Sequence, residues 1–229
     1  MKRRAFLKGA IIAGWGTKAF LNGNGPGKEL FQEAEAAETS YAGQDILTLP
    51  AFEKNLPFPL EKALQERKSV RSYDSGRNLS LGEISRLLWA ADGVNRENGK
   101  RTAPSALARY PVEILAALPQ GLYRYEPKPH RLVRVLADDI RPRIPVQGGF
   151  KQASLIVLYV VDKEKVSGAD LGWADLEIGC IGQNLFLEAT ALGLGSCIFA
   201  YMNTAEVSKL LGLSSNRVLR IAQAVGAAK

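Results

Sequence analysis

The sequence predicts one α+β domain, with a mixed, mainly antiparallel sheet surrounded by helices. Apolar runs of strand length recur at 112–118, 122–125, 132–136, 154–161, 197–201 and 218–225. The second and third face each other across the short Pro127/Pro129 turn, as in a hairpin. Segments of helical period come first, then a block of strands, and helix and strand alternate only in the second half.

The chain opens on Lys2-Arg3-Arg4-Ala5-Phe6-Leu7-Lys8-Gly9, a pair of arginines before a short apolar stretch, the pattern of a twin-arginine export signal. Proteins taking this route travel folded, often because a cofactor is inserted first. Lys8 and Lys18 close the apolar run well short of the roughly 20 residues a membrane span needs, so membrane contact is expected only through this segment. Ala34-Glu35-Ala36 offers a small-residue cleavage site. The expected organisation is a signal at 1–36, a linker or N-terminal extension at 37–58, and one folded domain at 59–229. Removing 1–36 takes the formal charge from +7 to +4. The remaining basic residues are interleaved with acids rather than gathered with aromatics along a face, which argues against a nucleic-acid binder.

Within the domain, 60–67 reads as a short helix. Ser80-Leu81-Gly82-Glu83 is a capping box that starts another, with Ile84, Leu87, Leu88 and Ala91 on one face and Gly93 at its end. The 154–161 run is apolar on both faces and suits a central, fully buried strand. The helix at 175–192 carries only three charges, Asp175, Glu177 and Glu188, so it must be covered on most sides, by sheet and neighbouring elements or by a second subunit. Asn203-Thr204-Ala205-Glu206 is expected to cap a helix running to Leu211. Cys180 and Cys197 are separated by most of a helix, roughly 18 Å along its axis, and are expected as free thiols. The single histidine, His130, lies in a turn, which leaves no basis for Ser-His-Asp catalysis or a His-rich metal site.

Three segments carry candidate chemistry. Arg67-Lys68-Ser69-Val70-Arg71 puts three cations and a hydroxyl at a helix end, suited either to a phosphate or to the helix dipole. In the segment 102–111, small residues around Pro104-Ser105-Ala106 suit either an ordinary loop or backbone lying flat on a planar ligand. Ala191-Leu192-Gly193-Leu194-Gly195-Ser196 is consistent with a helix C-cap and with close approach to a ligand.

In this order, the three segments resemble the nitroreductase superfamily of flavin oxidoreductases. Arg67 to Arg71 is similar to its Arg-x-Ser-x-Arg/Lys motif, Pro104-Ser105-Ala106 with Tyr110-Pro111 to its ring loop, and Gln183-Asn184-Leu185 through Ser196 to its interface helix and glycine turn. Gly121-Leu122-Tyr123-Arg124-Tyr125-Glu126-Pro127 resembles a strand motif of the SagB-type dehydrogenases. The ring loop differs from that subgroup's usual pattern at Leu107 and Arg109, and Ala108 stands where other nitroreductases carry Asn.

The resemblance implies a homodimer with two FMN sites at the subunit interface, a small-molecule substrate and an electron donor. It implies that Arg67, Lys68, Ser69 and Arg71 hold the phosphate with a late basic residue, for which Lys229 is the candidate. Pro104, Ser105, Ala106, Ala108, Glu177, Gly195 and Ser196 would face the flavin. Redox chemistry would belong to the flavin, so no catalytic side chain is named. The alternative is a ligand-binding protein of the same fold with a degenerate flavin site.

Overall fold

A computed structural model describes residues 44–52, 57–166 and 170–229. The twin-arginine segment and the Ala34–Ala36 cleavage site lie outside the described residues. Among those residues, seven strands form one sheet: β1 (Ile46–Thr48), β2 (Val112–Leu118), β3 (Gly121–Glu126), β4 (Arg131–Leu136), β5 (Leu155–Asp162), β6 (Gly195–Phe199) and β7 (Arg217–Gly226), in the order β1-β4-β3-β2-β5-β7-β6. Four α-helices accompany it: α1 (Leu60–Glu66), α2 (Leu81–Asp92), α3 (Gly172–Ala191) and α4 (Thr204–Leu210). Every named strand pair is antiparallel. Among the described residues, parallel pairing enters only at the bridge between Ser69 and Ser196.

Side-chain alternation along β5 builds the core. Leu155, Val157, Tyr159 and Val161 enter one apolar cluster and Ile156, Leu158 and Val160 the other, so the strand is buried on both faces as its composition requires. Helices α2 and α3 cover the first face. The second is closed by Tyr73, Phe150, α4 and the 3-10 turns Arg141–Arg143 and Gly148–Gln152. The Ser80 capping box forms as expected: Ser80 Oγ accepts from the Glu83 amide at 3.2 Å, and the Glu83 carboxylate accepts from the Ser80 amide at 2.9 Å. Such a cap stabilises a helix by about 1 kcal/mol. Arg86 on α2 donates from Nε and Nη2 to Glu188 Oε1 on α3, at 2.8 and 2.7 Å, and ties the two helices together.

Four expectations need correction. The 37–58 extension is not only linker: Ile46–Thr48 pairs with β4 as an edge strand, with only Leu47 buried, too short a run for periodicity to mark. α3 begins at Gly172, before Asp175. β6 starts two residues earlier than 197, because Gly193 takes φ +70° and the Leu194 amide bonds back to Ala189 O at 2.8 Å, so the chain leaves the helix and enters the sheet at once. Asn203 occupies the N-cap position of α4, but its side chain donates to Arg143 O at 2.7 Å and makes no cap bond.

Both thiols are free, Cys197 buried and Cys180 half-buried. His130 is a packing residue. Ser85 Oγ donates to Pro50 O at 2.6 Å and so accepts from His130 Nε2 at 2.8 Å, leaving Nδ1 to accept from the Tyr125 hydroxyl at 2.9 Å. The ring is therefore the neutral Nε2–H tautomer, in keeping with the burial that lowers its pKa.

Candidate functional site

The cationic segment leaves α1 and runs beside the start of β6. Arg67 is the C-cap of α1, its amide bonded to Ala63 O at 3.0 Å and its guanidinium lying 5.3 Å from the Phe186 ring centre. The Val70 amide donates to Ser196 O at 2.9 Å, which extends the Ser69–Ser196 bridge. Gly195 is needed at this crossing, since a Cβ there would lie 2.7 Å from the Val70 side chain. From the other side Gly149 abuts the segment; a Cβ there would sit 2.1 Å from Arg71 O. Tyr73 pins the turn with a 2.7 Å hydroxyl bond to Val70 O.

Lys68, Ser69 and Arg71 are exposed, and Lys229 joins them because its amide bonds Ser72 O at 3.2 Å while Ala228 bridges Tyr73. Lys68, Val70, Gly193, Gly195 and Ala228 line a cavity of about 430 Å³. Exposed cations and a hydroxyl grouped beside a concavity form a donor set that fits a phosphate monoester. Ser196 faces inward instead. It is buried, and its hydroxyl oxygen accepts from Gln223 Nε2 at 2.9 Å, so this residue meets the segment through its backbone. Gln223 also donates to Gly182 O at 3.1 Å and accepts from the Tyr159 hydroxyl at 2.6 Å, a buried network joining α3, β5, β6 and β7.

The Pro104–Ala108 segment is a separate, tightly folded loop. Arg101 stacks 4.2 Å from the Tyr110 ring, the Tyr110 amide donates to Ser105 Oγ at 2.9 Å, and the Ala108 amide donates to Ser105 O at 3.0 Å. Pro104, Ala106 and Ala108 are exposed, a small-residue surface against which a planar group can lie. Leu107, Ala108 and Tyr110 all have positive φ, near 50°. Leu107 therefore occupies a conformation suited to glycine while remaining 79 % exposed, which costs about 1–2 kcal/mol with no packing in return. Leu107→Gly is expected to raise the melting temperature by about 2–4 °C, measured by calorimetry, since the relief exceeds glycine's added chain entropy by up to about 1 kcal/mol.

Beneath this loop lies Glu177. It is 3 % exposed, and neither carboxylate oxygen has a hydrogen-bond partner of ordinary geometry. Burial raises its pKa, while the nearby Ser105 hydroxyl, the Val112 amide and Arg101 pull it back. From Glu177 to the C-terminal end of α3 is about 20 Å at 1.5 Å per residue. The ring loop and the cationic segment thus sit at opposite ends of α3. At the ring-loop end, α3 turns Trp173 (59 % exposed), Leu176 (60 % exposed) and the open Gly179 outward.

Sequence reading missed Asp92, Arg101 and Gln223. Asp92 falls four residues after Leu88 and eight after Ile84, on the buried stripe of α2, and Gln223 is the one amide in an apolar strand. Each was detectable as a polar residue out of phase with its surroundings. Burial pushes the Asp92 carboxyl up to about 7 from 3.8, against the Arg101 guanidinium that lowers it and Glu177 that raises it. A carboxyl bound more tightly to its proton in the folded chain than in the unfolded one gives stability that is full below about pH 4 and lost as pH rises toward 7. Urea midpoints are expected to fall across that window in the wild type and to flatten in Asp92→Asn.

The Nitroreductase family model matches residues 64–227. A candidate nitroreductase of Methanocaldococcus jannaschii is 32% identical over 188 residues, covering 76% of this chain and 92% of that protein. The crystal structure of a candidate nitroreductase from Ralstonia eutropha is 30% identical, with a TM-score of 0.73 over 81% of this chain and 90% of its own. A Desulfovibrio desulfuricans candidate nitroreductase solved in complex with FMN shares the fold at 22% identity, with a TM-score of 0.56 over 77% of this chain and 88% of its own.

Proposed function

Because the chain belongs to the nitroreductase family, we propose that it is an FMN-dependent oxidoreductase whose flavins lie between two copies of the chain. The observation that carries this reading is the split site. The phosphate-suited cations pack against the C-terminal half of α3, from Phe186 onward, and the small-residue loop lies over Glu177 near its start, so the two surfaces an FMN needs are separate parts of the protomer. A two-fold axis across α3 would bring the cationic end of one protomer to the ring loop of the other, and would cover Trp173 and Leu176 in doing so.

In this arrangement Arg67, Lys68, Ser69, Arg71 and Lys229 bind the phosphate, while Pro104, Ser105, Ala106 and Ala108 of the other protomer lie on the ring. Gly195 and Ser196 set the distance between the cationic segment and the sheet. Bound FMN supplies hydride or electron-pair transfer at its ring. The chain's own part is to hold the ring, exclude water from it and keep the substrate against it. The Gly121–Pro127 motif supports a SagB-type dehydrogenase. The twin-arginine motif supports export, where NAD(P)H is scarce and a quinol or a protein is the suitable electron donor. The substrate class is a small molecule able to accept or give an electron pair.

Adding FMN to protein freed of cofactor tests the reading through absorbance, fluorescence quenching and sedimentation. One FMN per protomer and a dimer are expected. A protein that binds no FMN, or binds it fully as a monomer, contradicts the proposal.

A further inference from the structure

We propose that Asp92 and Glu177 form a buried carboxyl pair that stores one proton and delivers it at Ser105, on the inner side of the ring loop. The proposal rests on the reading that this loop lies on the flavin.

Asp92 from α2 is 1 % exposed and Glu177 from α3 is 3 % exposed, and the guanidinium facing them both is Arg101. Arg101 Nη1 bonds Asp92 Oδ2 at 2.5 Å, yet Asp92 Oδ1 has no hydrogen-bond partner and Glu177 has only the Ser105 hydroxyl and the Val112 amide nearby, neither in ordinary hydrogen-bond geometry. Two carboxylates with one cation would leave an uncompensated negative charge in the core, a cost of several kcal/mol that retaining one proton removes.

Three further cations stand around the cavity beside Asp92, but Arg124 is paired with Glu126, Lys165 with Asp162, and Lys128 is exposed to solvent, so Arg101 is the cation that acts on the pair. Tyr125 of β3 and Tyr159 of β5 both feel the Asp92 charge, and burial drives both phenols up, so they stay neutral. The Ser105 hydroxyl and the Val112 amide lie near Glu177. Tyr110, from the loop, contacts Arg101 through its ring and accepts from the Arg101 amide at 3.3 Å. Burial raises both carboxyl pKa values, which agrees with the charge count.

Position gives the stored proton a use. Asp92 lines a cavity of about 280 Å³ together with Arg101, Tyr110, Arg124, Lys128 and Lys165, between the ring loop and the β3–β4 turn. This is the water side of the pair. Glu177 is the loop side, next to the Ser105 hydroxyl, whose oxygen accepts from the Tyr110 amide and which can relay a proton by taking one from Glu177 as it releases its own. A quinone-type acceptor that receives a hydride from reduced flavin needs one proton on oxygen to become the quinol. The pair gives that proton through Ser105, and water in the cavity returns it through Asp92.

Infrared spectra of the flavin-free full chain, titrated between about pH 5 and pH 9, test the stored proton directly. A neutral carboxylic acid band is expected to persist at neutral pH, to vanish at high pH, and to be lost in both Glu177→Gln and Asp92→Asn. Absence of that band in the wild type, or its survival in both variants, overturns the proposal without touching the flavin reading. With flavin bound, Glu177→Gln is expected to lower quinone reduction about 100-fold and to remove the fall in rate above neutral pH, because general acid catalysis contributes about that much. An unchanged pH profile contradicts the proposal. Failure to bind FMN at all would count against the flavin reading and leave the infrared result standing.

Discussion

Replacing Leu176 by glutamate is expected to separate the dimer and to abolish both flavin sites in one step. Leu176 and Trp173 are neighbours one turn apart on α3, about three-fifths exposed in the single chain, with Gly179 open beside them. Burying a large apolar side chain contributes about 1.5–3 kcal/mol, and two-fold symmetry counts each position twice. Loss of both leucines, with two like charges brought into the contact, weakens association by about 10³-fold or more at 1.4 kcal/mol per decade. Since Leu176 is exposed within the protomer, the fold and its far-ultraviolet circular dichroism remain. Sedimentation should show monomer, and FMN fluorescence should go unquenched. A variant that stays dimeric and keeps its flavin would remove α3 from the interface.

The second large effect concerns the phosphate alone. Arg71→Ala is expected to weaken FMN binding by about 10- to 100-fold and to leave riboflavin binding unchanged, because a hydrogen bond to a charged group is worth about 1.5–3 kcal/mol. Arg71 is the cleaner choice for the test. Its guanidinium is exposed and makes one long bond, 3.4 Å, to Ser69 O, whereas Arg67 also stacks on Phe186 and would perturb packing when removed. Equal weakening of FMN and riboflavin would mean that the cationic segment acts on the fold rather than on the phosphate.

Much of this was legible in the residues because local rules and packing agree. The Ser80 capping box, the two-sided burial of β5 and the Pro127/Pro129 hairpin all follow from short-range patterns that the sheet then satisfies. What escaped was set by long-range contact. β1 forms because β4 offers an unpaired edge, and three residues carry no period of their own. Asn203 is turned away from its helix by Arg143 O, sixty positions earlier in the chain. For the site, sequence named the segments but could not say that the cations and the ring loop stand at opposite ends of one helix. Nor does any motif announce Asp92, whose meaning depends on Arg101 and Glu177 arriving from other elements.

Subunit mixing tests the shared site most directly. One variant, Arg67→Ala with Arg71→Ala, loses the phosphate end; another, Ala106→Trp, blocks the ring loop. Each alone is expected to bind no FMN. After random exchange of equal amounts, half of the dimers are mixed, and each mixed dimer contains one site with both intact halves, so binding should return to about a quarter of wild-type capacity. If the two halves served one flavin within a single protomer, mixing would restore nothing.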